Sequence, residues 1–121
     1  LDVFDDVDLA AARAKAMALT DLFVRLVAER LGDTFSLVSP GDAAVRGNQV
    51  SLAHPHAYPI VQALIARGVV GDFREPDVLR FGFAPLYVRY VDVFDAVAAL
   101  ADVMQTEAWR DPGFGIRQSV T

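Results

Sequence analysis

Apolar residues recur along this chain at two different periods. Leu9, Ala12, Ala16, Leu19, Phe23 and Leu26 follow one another at three- and four-residue steps, which lines them along one side of an α-helix. Asp8 is placed to cap its start and Gly32 to take the position just past its end. The period then drops to two. Thr34 to Ser39 reads as a short strand, Pro40-Gly41-Asp42 as a turn, and Gln49 to Ala53 as a second strand with Val50 and Leu52 on one side, so the two make a hairpin. A second helix carries Ile60, Val61, Leu64 and Ile65 and stops at Gly68. Its start is constrained by prolines: Pro55 suits a first helical position, but Pro59 would then clash with the carbonyl of residue 55, so the helix should start near Pro59 or be distorted. Val69 to Arg74 and Val78 to Phe83 give strands three and four around Glu75-Pro76-Asp77. A last helix, capped by Asp92, buries Phe94, Val97, Ala101 and Met104, and the tail with Pro112, Gly113 and Gly115 reads as irregular. The pattern predicts an α+β fold of order αββαββα, a two-layer open sheet with helices packed on it.

The fourth strand carries the most informative chemistry. Alternation in Val78-Leu79-Arg80-Phe81-Gly82-Phe83 sends Leu79, Phe81 and Phe83 to a core face and Val78, Arg80 and Gly82 to the other. Gly82 leaves the ground beside Arg80 open, so a ligand can approach the backbone there and meet the planar donor fork of the guanidinium, which suits a carboxylate bidentately. The competing reading is an arginine that reaches out from a sheet edge or pairs with a local Asp or Glu.

Composition narrows the setting. At 121 residues the chain is of ordinary domain size and reads as a single unit over residues 1–121. Its 54% hydrophobic content is high for so small a domain, and some of that surface is expected to meet a partner. No apolar run approaches a membrane span and the acidic start is unlike a signal peptide, so a cytoplasmic setting without membrane is the default. A net charge of −5 with scattered arginines argues against nucleic acid. With no cysteine, disulfides and thiol catalysis are excluded.

The run SLAHPHAYPIVQALIARGVVGDFREPDVLRFGFAPLYVRYVDVFDAV resembles the C-terminal segment of bacterial kynureninase, a pyridoxal-phosphate (PLP) enzyme of the aminotransferase-like fold type I. The resemblance is most specific from Ala63 to Tyr90 and runs on through both flanks. It implies a small domain that acts with a large PLP-binding domain in a homodimer. The implied reaction is hydrolysis of L-kynurenine to anthranilate and L-alanine. Arg80 matches the family arginine of the L-R-F-G-F strand that binds the α-carboxylate of the amino-acid substrate. The resemblance further implies PLP in the intact enzyme and none bound by this chain alone, because the only lysine, Lys15, does not match the PLP-lysine motif and no glycine-rich phosphate cradle is present. The chain reads as a fragment of a larger enzyme, with no catalytic residue of its own, and its first helix as a connector prone to self-association. The His56-Ala57-Tyr58-Pro59 run departs from the family, where an acidic residue, glycine and tyrosine stand.

Other candidates carry less. His54 and His56 could form half of a metal site, but no third ligand stands at telling spacing, and turn or capping roles compete. Asp5/Asp6 and Asp92/Asp95 could suggest acid-base work, but helix N-terminal capping explains both pairs. Ser36, Ser39 and Ser51 lack a nucleophile-elbow context. Tyr87 and Tyr90, just after Pro85, read as packing residues rather than catalytic ones, and Phe81, Phe83 and Trp109 as core or interface. Another lyase or aminotransferase of the same fold type, or a stand-alone amino-acid-binding or dimerisation module, remains an alternative function.

Overall fold

The two periods become two layers. The computed structural model describes residues 6–39, 48–83 and 88–115. Within them, α1 spans Asp6–Leu31, β1 Ser36–Leu37, β2 Gln49–Ala53, α2 Ala57–Ala66, β3 Asp72–Arg74, β4 Val78–Gly82 and α3 Tyr90–Thr106. A short α4, Pro112–Gly115, and 3-10 turns at Gly32–Thr34 and Ala108–Arg110 complete the order. The αββαββα sequence of main elements is therefore the one the periods predict. The strands form a four-stranded antiparallel sheet in the order β1-β2-β4-β3.

One face of the sheet is covered. Val50 and Leu52 of β2, Leu79 and Phe81 of β4, and Phe83 just beyond it are buried in a single cluster with Leu19 and Phe23 of α1, Ile60 and Leu64 of α2, and Val93, Val97 and Leu100 of α3. Phe23 sits at its centre, its ring centroid 5.0 Å from that of Phe81 and 5.1 Å from that of Phe83. The only buried polar side chain among the described residues is Thr20, whose hydroxyl donates back to the Ala16 carbonyl at 3.1 Å and so needs no solvent. On the other face Gln49 and Gly82 are exposed while Ser51 and Arg80 are half-buried.

Helix ends depart from expectation for identifiable reasons. α1 begins at Asp6, so Asp8 lies inside it rather than capping it. Gly32 does follow its last residue, at φ 55°. α2 starts at Ala57, two residues before Pro59, because Pro59 falls in the first turn, where a missing N–H has no intrahelical bond to lose. It ends through Gly68, at φ 86°, a conformation that favours glycine. In α3 the N-cap is Arg89, and Asp92 is the third helical residue reaching back: its carboxylate accepts the Arg89 backbone N–H at 2.8 Å and pairs with the guanidinium at 3.2 Å. The Arg89 guanidinium bond, then the backbone bond, hold the Asp92 carboxyl below the usual carboxylate range. Phe94, expected on the buried stripe, is instead 50% exposed, because the helix turns Val93, Val97 and Leu100 inward. The tail is helical rather than irregular at Pro112–Gly115, where Asp111 accepts the Gly113 N–H at 2.9 Å and Phe114 packs against the core. Asp5, the Pro40-Gly41-Asp42 turn and the Pro85/Tyr87 turn lie outside the described residues.

Phe23→Ala removes the ring that both sheet phenylalanines touch. A truncation of this kind costs about 3–5 kcal/mol, so urea denaturation should show a midpoint lowered by a large fraction of the total stability with an unchanged slope.

Candidate functional site

Arg80 occupies the middle of a central strand, with a neighbour fixed on each side by the ladder. Ser51 of β2 and Asp72 of β3 stand directly opposite it. Residues paired across antiparallel strands share a face, so Ser51, Arg80 and Asp72 form one row on the face opposite the buried cluster. Arg80 Nε donates to Asp72 Oδ1 at 3.1 Å and Nη2 donates to Oδ2 at 2.7 Å. The Arg80 side chain is 27% exposed and that of Asp72 52% exposed. A guanidinium carries five N–H donors, and among the described residues both hydrogens of Nη1 and one of Nη2 have no hydrogen-bond partner. Two residues along, a Cβ placed on Gly82 would meet nothing within 4 Å. The local pairing anticipated as the competing reading of Arg80 is thus present, and so is the open ground of the ligand reading. What this arrangement can do chemically is hold a planar anion.

Sequence reasoning placed Arg80 on the correct face and missed both flanking partners. Asp72 had a signal: a hairpin reflected about Pro76 pairs residue 74 with 78 and residue 72 with 80, as the register shows. Ser51 had none, because its partner lies across α2.

The histidines gather elsewhere. His56 precedes α2, and its backbone N–H donates to Nδ1 of His54 at 3.0 Å. The His56 ring stacks on Trp109 with centroids 4.6 Å apart, His54 meets Trp109 edge-on at 6.1 Å, and Phe35 lies 5.2 Å from His54. The Arg110 guanidinium carbon sits 4.5 Å from the indole centroid. Trp109 is buried core, and its Nε1 has no partner among the described residues. Among those residues no three His, Asp or Glu side chains converge as a metal site. Burial, and then the neighbouring His56, push the His54 pKa below 6.5. Its ring packs against Phe35 and Trp109 just before α2.

The remaining candidates do not converge on Arg80. Asp92 is occupied in its helix cap, Asp95 and Ser36 are exposed, and Tyr90 opens α3 half-exposed. Ser39 Oγ accepts the Ser51 N–H at 2.6 Å. Lys15 lies on α1 in the helical layer, where its charge acts on Asp92. A cleft of about 420 Å³ opens between residues 67–70, the end of β4 and α3, with Val69, Phe83 and Ala96 in its walls; Arg80 is not among them.

The fold defines a class first. It superposes on part of a solved NifS-like protein with a TM-score of 0.69 at 12% identity, covering 82% of this chain and 30% of that one, and the α+β layering is that of the fold type I small domain. A family model described as Kynureninase C-terminal domain matches residues 12–100. Kynureninase of Burkholderia mallei (strain SAVP1) is 57% identical over the whole of this chain, and kynureninase of Pseudomonas fluorescens 48% identical, each aligned over 29% of its own length. The chain belongs to the kynureninase C-terminal domain family, and spans under a third of the curated relatives it matches.

The lowered pKa of His54 fixes a sign. The folded state favours the neutral ring, so its contribution is complete above pH 6.5, the unfolded value, and is lost as pH falls from there through the lower folded value. Protonation would also remove the Nδ1 acceptor from the His56 N–H. Melting temperatures followed from neutral pH down past this range should therefore decline, and His54→Gln should flatten that part of the decline.

Proposed function

We propose that this domain is the small domain of a PLP-dependent kynureninase, which hydrolyses L-kynurenine to anthranilate and L-alanine, and that Arg80 binds the α-carboxylate of the substrate. The carrying observation is the placement of Arg80: on the sheet face opposite the core, near a glycine, with N–H donors that no described residue takes after its pairing with Asp72. The name that the relatives carry, kynureninase, supports this reading of the reaction and substrate class. The rest of the enzyme supplies the large domain, and we extend the reading to a cytoplasmic homodimer.

PLP does not fit the residues of this chain. Its one lysine stands in the helical layer, on the far side of the sheet from Arg80, and the described helix starts present no glycine-rich turn to a phosphate. The chain's share of the work is to bind and orient the substrate; fixing the carboxylate end limits the poses that the reacting end can take.

Two outcomes test this reading. The chain alone, titrated with PLP at micromolar concentration, should give no saturable absorbance change; a saturable band abolished by Lys15→Ala would contradict it. In the intact enzyme, Arg80→Ala should lower kcat/KM for kynurenine by about 10- to 150-fold, the equivalent of the roughly 1.5–3 kcal/mol carried by hydrogen bonds to a charged group. Arg80→Lys should recover part of this, since a point charge cannot reproduce the fork. The PLP spectrum and the melting temperature should stay close to the parent's. A kcat/KM within twofold of the parent would return Arg80 to a structural role.

A further inference from the structure

We propose that Asp72 is the positioning residue that aims Arg80 at its anionic ligand, an inference that rests on the reading of Arg80 as the carboxylate anchor. A guanidinium has two edges that can each hold a carboxylate through parallel N–H bonds: one made by Nε and Nη2, the other by Nη1 and Nη2. Asp72 occupies the first edge with both of its oxygens, at 3.1 and 2.7 Å. The second edge keeps its hydrogens, and no described residue takes them. The pair therefore leaves one bidentate edge available and holds the guanidinium by the other.

The backbone makes this hold dependable. Asp72 is directly opposite Arg80 in the β3–β4 ladder, so the carboxylate is supplied by a strand position rather than by a loop. An arginine has a long, rotamer-rich stem, and an unsupported one must be ordered by the ligand itself. Here Asp72 has already restricted it. With Asp72 half-exposed, the ion pair contributes little to stability, so its main effect is geometric. Asp72 also offsets the charge of Arg80, which reduces attraction for anions in general while keeping the two parallel donors for one that is planar and bidentate.

The test uses the intact enzyme and a matched pair of substrate-like inhibitors, a carboxylic acid and its primary amide. Asp72→Asn keeps the shape of the side chain and one acceptor oxygen. It should raise KM for the amino-acid substrate and Ki for the acid about tenfold, change kcat by less than about threefold and leave Ki for the amide unmoved. In an Arg80→Ala background the same substitution should add less than about twofold, because the two residues act through one contact. Equal shifts for acid and amide, or a full Asp72→Asn effect without Arg80, would make Asp72 a structural residue and overturn the proposal. Unchanged or tighter acid binding would overturn it too, and would make Asp72 a bystander or a competitor. These results differ from failure of the underlying reading, in which Arg80→Ala itself leaves acid binding intact.

Discussion

The structure depends on a sheet that is apolar on one face only. Phe23 of α1 touches Phe81 and Phe83 together, and all three are buried. Strand side chains alternate, so a shift of one residue in β4 would carry these rings into solvent and drive Arg80 under the helices. Burying that guanidinium without its partner would cost far more than an ordinary packing defect. The core thus determines which residues reach the opposite face, and the register β2–β4–β3 then sets Ser51, Arg80 and Asp72 in a row. Nothing in the row has to stabilise the fold for the row to exist.

That separation divides the molecule by layer. The helical layer carries the stability: α1, α2 and α3 bury their apolar stripes in one cluster, and the His54–His56–Trp109 group fastens the beginning of α2 to the Ala108–Arg110 turn. The opposite face carries the Arg80–Asp72 pair, exposed enough to be rearranged at little cost. Lys15 and the Asp92 cap belong to the first layer despite their charge. The face a residue occupies separates the two groups as much as its chemistry does.

Much of this was legible in the sequence, and the failures share a cause. Element order, the limits of β2 and the face of Arg80 follow from periodicity alone, because alternation and helical spacing are local. Ends were less accurate. Asp8 and Asp92 looked like caps because acidic residues suit the first turn, and both stand within it rather than before it; Arg89, a poor cap by type, serves because Asp92 reaches back to it. Phe94 was misplaced because alanine-rich α3 offers several apolar stripes, and the choice among them is made by what packs against it. The histidine–tryptophan cluster joins residues far apart in the chain, which no local rule brings together. Asp72 was recoverable, since the turn at Glu75-Pro76-Asp77 determines the pairing around it.

Strand order also governs the route by which the chain assembles. β3 and β4 are separated only by Glu75, Pro76 and Asp77, whereas β2 reaches β4 after the whole of α2 has intervened. Closing a short loop costs less chain entropy than closing a long one, so the β3–β4 hairpin is the cheapest part of the sheet to form and the natural template onto which β2 docks. Asp72 and Arg80 face each other in that hairpin. Their contact is a local one in folding terms, available before the Phe23 core closes over the opposite face.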